Sequence, residues 1–208
     1  MTVVMIKQED PQTLEHGVHV LRKGGLVAIP TDTVYGLACT LDNPMAIKRL
    51  YEVKGRDSSK AIAVLIGEKD QLKLVASHIN CQAARLAERY WPGALTMVLP
   101  RQDGLPEILS SQPTVGVRMP DHPFALALLR TAGPLAVTSA NLSGAENPQT
   151  AQDVFNQLGD RIDLIIDGGR CQGGVPSTVV DCSTTDLRIL RVGAIPVEDI
   201  LKVAGEED

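Results

Sequence analysis

Short apolar runs recur along this chain at 26–29, 61–66, 95–99, 114–119, 135–138 and 162–166, most of them separated by segments with helical periodicity. Runs this short, rich in Val, Ile and Leu, suit strands buried on both faces. Their alternation with helices restricts the chain to an α/β class, a twisted mixed sheet flanked by helices. Aromatic residues are only 3% of the sequence, so Val, Ile, Leu and Ala must build the core, which fits the same class. A length of 208 residues matches one domain, expected over 1–208 with its core at about 10–200.

Local signals place the helices. Asp10-Pro11 reads as a cap and first turn, followed by Leu14, Val18 and Leu21 on one face and a stop at Gly24-Gly25. Asn43-Pro44 opens a second helix with Ile47, Leu50 and Tyr51 on its apolar face. Further helices are expected at 80–90, at 121–130 with Asp121 as cap and Pro123 in the first turn, at 151–158, and from Pro196. Residues 178–180 and 187–190 read as a late strand pair, and the N-terminal MTVVMIKQED as a first strand rather than a targeting segment. Segments 101–112 and 167–177, rich in Gly, Pro, Ser and Gln, are expected as mobile loops over a site.

Net charge is −5, which argues against a dedicated nucleic-acid binder with its broad basic face. The stretch 48–60 is an exception: Lys48, Arg49, Lys54, Arg56 and Lys60 face only Glu52 and Asp57. Cys39, Cys81, Cys171 and Cys182 contain no CxxC pair and read as reduced thiols, Cys39 and Cys182 as core. His16, His19, His78 and His122 complete no metal spacing, so no protein-held metal is expected. No apolar run approaches the ~20 residues that span a bilayer. A cytoplasmic location follows as the expectation.

Three segments carry candidate chemistry. Pro30-Thr31-Asp32-Thr33-Val34-Tyr35-Gly36 leaves an apolar strand, where open α/β sheets gather ligands beyond strand C-terminal ends. Its hydroxyls either meet a small polar ligand or bond local backbone in a turn. Lys54-Gly55-Arg56 with Lys60 offers cations to phosphate oxygens, or forms a surface loop complementing a helix dipole. Ser139-Ala140-Asn141 follows another strand, and Asn141 either meets a ligand or stabilises the turn before Gly144. Arg118, ending a strand, either forks onto a ligand carboxylate or pairs with Asp121 or another acid. Arg191 allows the same two readings. The chain contains neither GxxxxGK[ST] nor GxGxxG, so a nucleotide would bind by another arrangement.

In order, PTDTVYGL at 30–37, KGR at 54–56, WPGALT at 91–96, VGVRMPDHP at 115–123, TSANLSG at 138–144, PSTVVD at 176–181 and LRVG at 190–193 resemble the YrdC family, the threonylcarbamoyl-AMP synthases. The resemblance covers residues 20–193 and is to the short form, lacking the additional C-terminal domain of longer members. It implies a YrdC-like domain with a concave cationic cavity. It also implies a reaction in which L-threonine, bicarbonate and ATP give L-threonylcarbamoyl-AMP and pyrophosphate, with Mg2+ accompanying the ATP.

By the same resemblance Lys54, Arg56, Lys60, Thr114, Ser139, Asn141, Asn147 and Arg191 face ATP, Lys54 and Arg56 also acting in catalysis. Thr31, Thr33, Arg118, Val137 and Ser177 face the threonine. The product would pass to a tRNA-modifying transferase complex, with weak tRNA binding and no membrane partner. Two departures stand out: Asp57 replaces a proline common after KxR, and Leu65 replaces a histidine frequent in longer members. The competing reading is an RNA-binding module that uses the same cavity for tRNA or double-stranded RNA.

Overall fold

The computed structural model describes residues 3–205. Ten strands form one sheet: β1 (Val4–Lys7), β2 (Val27–Ile29), β3 (Gly36–Thr40), β4 (Ala63–Leu65), β5 (Leu95–Pro100), β6 (Thr114–Arg118), β7 (Leu135–Ser139), β8 (Leu164–Asp167), β9 (Thr178–Asp181) and β10 (Arg188–Arg191). The strand order is β1-β8-β2-β3-β7-β4-β6-β5-β9-β10. Pairs β1/β8, β2/β8, β4/β6 and β5/β9 run parallel and the rest antiparallel, so the sheet is mixed as expected.

Six helices cover it: α1 (Thr13–Arg22), α2 (Pro44–Lys54), α3 (Cys81–Tyr90), α4 (Pro123–Ala132), α5 (Ala151–Leu158) and α6 (Val197–Ala204). Val18 and Leu21 of α1 and Leu128 and Leu129 of α4 pack on Val27, Ile29, Leu135 and Leu164 of one sheet face. Ile47 and Leu50 of α2 and Val154 of α5 pack on Ala28, Leu37, Cys39 and Ile165, which alternate with the first set and so face the other way. Farther along, Leu86 of α3 and Ile200 of α6 cover Val64, Met97, Val117 and Val180. The opposite face of β5 and β6 is left hollow.

Cap chemistry explains the helix starts. Asn43 accepts the N–H groups of Met45 and Ala46 at 3.1 Å, ahead of Pro44, as the sequence indicates. Asp10-Pro11 does not begin α1. The Asp10 carboxylate instead accepts the Gln12 N–H at 2.9 Å in a turn, and the helix starts at Thr13. Asp121 does not cap α4 either; His122 Nδ1 accepts the Ala125 N–H at 3.4 Å. Strand β3 has no counterpart in the sequence reading. Its Gly36 is required by packing, since a Cβ there would sit 2.7 Å from Val137 Cγ1.

Cys39, Cys171 and Cys182 are buried, Cys81 is exposed, and all four are free. Among the described residues, no helix is long and apolar enough to cross a membrane.

Candidate functional site

The hollow is a cavity of about 360 Å³. The register explains why it exists. Val137 pairs with Ala63, Leu65 with Arg118, Gly116 with Val98, and Thr96 with Val179, so these residues project from one face. Most of them are small, and the floor of Ala63, Gly116, Thr96 and Val179 leaves space that larger side chains would fill. The site therefore lies on a sheet face and not, as the sequence reading expects, beyond strand C-terminal ends. The switch of PTDTVYG from β2 into antiparallel β3, and of β7 into TSANLSG, puts both motifs along its rim, with Gly36 opposite Ser139.

Three guanidinium groups line this one cavity: Arg56, Arg118 and Arg191. Arg118 is buried and tightly held. Nε donates to Gly93 O at 2.9 Å, Nη1 to Thr33 Oγ1 at 2.8 Å and Nη2 to Asp32 Oδ1 at 2.6 Å. Its acidic partner is thus Asp32, not Asp121. Burial pulls Arg118 below the ordinary arginine value, while Asp32 opposes the shift. Arg191 donates through Nε and Nη2 to Ser177 O, and through Nη2 to Ser177 Oγ. Burial lowers Arg191, and repulsion from Arg118 and Arg56 adds to the shift. Arg56 donates to Lys60 O and Ala61 O and is also lowered, chiefly by burial. Like charges held this close are stabilised when an anion lies between them.

Lys54 ends α2, and Gly55 follows in the left-handed conformation at φ 59°, which turns the chain sharply. The Lys54 side chain is only 2% exposed and does not line the cavity. It projects beneath the turn after β7, where Nζ donates to Ser139 O, to Asn141 O and, at 3.1 Å, to Asn141 Oδ1. Burial, followed by the Arg56 charge, pushes the ammonium down to about 7. Three acceptors nevertheless match its three donors, so deprotonation would cost one of these lysine hydrogen bonds. Ser139 Oγ donates to Asn141 Oδ1 at 2.5 Å, and Asn141 Nδ2 to Ala145 O at 2.7 Å. Asn141 therefore shapes the turn from behind, while Ser139 lines the cavity.

The remaining candidates divide. Thr31, Thr33, Val137, Asn147 and Ser177 join Arg56, Arg118, Ser139 and Arg191 at the cavity. Lys60 is exposed and Thr114 half-buried, and neither lines it. The Thr31 hydroxyl follows the turn reading, donating to Val34 O at 2.6 Å, whereas Thr33 braces Arg118. Arg49 turns away to Asp163 and Lys48 faces Glu52, so the basic stretch 48–60 is not one patch.

Sequence reasoning omits Thr96, whose hydroxyl lies 2.7 Å from Ser177 Oγ, and Tyr35, whose hydroxyl donates to Gly169 O. Both stand inside quoted motifs, WPGALT and PTDTVYGL, which was the available signal. Of the two long loops, 101–112 does not reach the cavity, while Pro176 and Ser177 of the other do. Gly173 and Gly174 tie that loop to PTDTVYG, donating to Asp32 O and Thr33 O. Among the described residues, no group of three or more His, Cys, Asp or Glu comes together as a metal site.

Comparison with known proteins places this chain in a family. A threonylcarbamoyl-AMP synthase of Bacillus subtilis is 43% identical over 203 residues, covering 96% of this chain and 58% of that protein. One of Pyrococcus abyssi is 42% identical over 188 residues, covering 89% of this chain and 55% of that protein. The chain thus spans little more than half the length of these curated relatives. The crystal structure of P. abyssi Sua5 complexed with L-threonine superposes with a TM-score of 0.93 at 38% identity, over 99% of this chain and 62% of that one. Residues 19–193 match the Sua5/YciO/YrdC family, described as "Telomere recombination". With the family match over most of its length and the same overall fold, this chain belongs to the Sua5/YciO/YrdC family.

Proposed function

We propose that this chain forms L-threonylcarbamoyl-AMP and pyrophosphate from L-threonine, bicarbonate and ATP. The observation that carries the proposal is the convergence of Arg56, Arg118 and Arg191 on one cavity, with Asp32 the only carboxylate ion-paired to them among the described residues. The names of the B. subtilis and P. abyssi relatives, and the L-threonine bound to P. abyssi Sua5, support the same reading.

The chemistry asks for such a site. Threonine nitrogen must bond to the carbon of bicarbonate, with water leaving, or to that of carbon dioxide, with a proton leaving nitrogen, giving a carbamate that readily loses carbon dioxide. A carbamate oxygen then bonds to the α-phosphorus of ATP while the bond to pyrophosphate breaks. Both partners are anions, so fixed cations and donors contribute more than a general base. Positioning supplies several kcal/mol, up to ~7–11 in the best intramolecular cases. Arg118 would receive the threonine carboxylate, with Thr31, Thr33, Val137 and Ser177 around it. Arg56 and Arg191 would receive the triphosphate, with Ser139 and Asn147 beside them. Lys54 would act from behind by holding the Ser139–Asn141 turn in shape, adding its charge to the field. Lys60 and Thr114 would reach the nucleotide only at the margin. Magnesium enters bound to ATP and belongs to the substrate.

The product would be handed in the cytoplasm to a transferase complex that modifies tRNA, tRNA itself binding this chain weakly. Against an RNA-binding module stands the position of the cations. They converge on one hollow, Arg118 buried, Arg56 half-buried and Arg191 exposed at its rim, each bonded to backbone oxygens, and they are not spread over a broad basic face. The test is pyrophosphate release with ATP, bicarbonate and L-threonine each omitted in turn. Release is expected only with all three, and release indifferent to threonine overturns the proposal.

A further inference from the structure

The charges around the cavity are not evenly balanced. Asp32 Oδ1 lies 2.6 Å from Arg118 Nη2, with the Asp32 side chain 17% and the Arg118 side chain 8% exposed. Among the described residues, Arg56 and Arg191 are bonded to carbonyl and hydroxyl oxygens only. One guanidinium at the hollow is therefore neutralised by an ion pair, and the other two have none among the described residues. Arg118 still has donors to offer: a guanidinium carries five N–H bonds, and three are engaged in the bonds described above.

We infer that Asp32 is a positioning and specificity residue that divides the cavity into an amino-acid end and a phosphate end. It does so in two ways. It fixes the Arg118 fork, with Thr33 and Gly93 O as the other anchors, so that the free N–H bonds present one geometry. It also cancels most of the Arg118 charge. Asp32 stands behind Arg118 and lines the neighbouring hollow with Asp121 and His122, not the cavity itself. A monoanionic carboxylate is held by the fixed N–H donors of such a neutralised guanidinium, whereas a multiply charged phosphate gains little from it. Without such a device, three guanidinium groups in one hollow would let a polyphosphate settle across both ends and shut out the amino acid. Discrimination here rests on a repulsive element as much as on an attractive one.

Asp32 is itself held in register. Its carbonyl accepts the Gly173 N–H at 3.1 Å, and a Cβ on Gly173 would stand 2.6 Å from that oxygen. The loop carrying Ser177 thus supports the backbone from which Asp32 projects.

The inference rests on the proposed reaction for the identity of the amino acid, but its test does not need turnover. Pyrophosphate and L-threonine are titrated separately by calorimetry into wild type, Asp32→Asn, Asp32→Glu and the Asp32→Asn/Arg118→Gln double variant, with melting temperatures recorded as a folding check. Asp32→Asn is expected to bind pyrophosphate at least fivefold tighter, or with a second equivalent, and threonine at least tenfold more weakly. Asp32→Glu should restore most of the wild-type pattern, and the double variant should lose the gained pyrophosphate binding. Unchanged pyrophosphate binding in a folded Asp32→Asn protein overturns the inference, as does a gain that persists in the double variant. A mere structural role for Asp32 would weaken both ligands, and that outcome also overturns it. Failure of the proposed reaction would appear elsewhere, as threonine-independent pyrophosphate release by the wild type.

Discussion

Lys54 Nζ meets Asn141 Oδ1 at 3.1 Å across 87 residues of sequence, so the last residue of α2 holds the turn that follows β7. The contact converts two motifs that look independent in the chain into one unit. Lys54→Met keeps the aliphatic stem and removes the donors, leaving the Ser139 and Asn141 oxygens short of partners. Pyrophosphate release should fall by at least ~100-fold, and stability by about 1–3 kcal/mol. Chemical denaturation and a turnover assay on the same preparation check both. Wild-type turnover in the variant would remove Lys54 from the mechanism.

His122 gives stability a pH dependence with a defined sign. Its Nδ1 accepts a backbone N–H at the start of α4, which only the neutral ring can do, and burial holds it below the ordinary value of 6.5. Asp32 and Asp121 oppose that shift without reversing it. The unfolded chain therefore binds the proton more readily than the folded one, and this contribution is complete above 6.5 and fades as pH falls below it. His122→Asn retains a cap without a titrating ring. Urea midpoints at successive pH values should fall less steeply on the acid side for the variant, and parallel curves would refute the assignment.

Gly116 sits on the cavity floor, where a Cβ would meet Thr96 Cγ2 at 3.4 Å and Ala63 Cβ at 3.7 Å, ordinary contacts. Gly116→Ala should therefore fold with unchanged or slightly higher stability, by up to about 1 kcal/mol. Gly116→Val should fill the floor and raise KM for substrates roughly tenfold or more, an effect of ~1.4 kcal/mol. Melting curves beside steady-state kinetics separate the two effects.

Thr150 and Asp153 form a reciprocal capping box at the start of α5, with Thr150 Oγ1 accepting the Asp153 N–H at 3.1 Å. Thr150→Ala is expected to cost about 1 kcal/mol and to leave turnover within twofold. A thermal melt and the pyrophosphate assay read the pair.

The fold class was legible because buried strands and amphipathic helices leave strong local patterns, and Asn43-Pro44 announced α2 to the residue. Caps whose chemistry is local but ambiguous were displaced, as with Asp10, which closes a turn, and Asp121, whose neighbour His122 takes the N–H. Strand β3 was hidden because Gly36 suppresses the apolar signal that packing against Val137 demands. The site residues with unusual chemistry for their setting, such as Arg118 and Ser139, stood out. The pairing of Arg118 with Asp32 did not, since 86 residues separate them and only the sheet brings them together. Thr96 was passed over for the same reason, its partner Ser177 lying 81 residues away.

The hollow beside Gly116 has a final implication. It arises from side chains that are short, within a continuous ladder of hydrogen bonds, and not from a cleft between two bodies. No hinge has to swing for it to exist. Evolution can resize such a chamber one methyl group at a time, so relatives that accept different guests should differ first at Ala63, Gly116 and Val179, long before their strands rearrange.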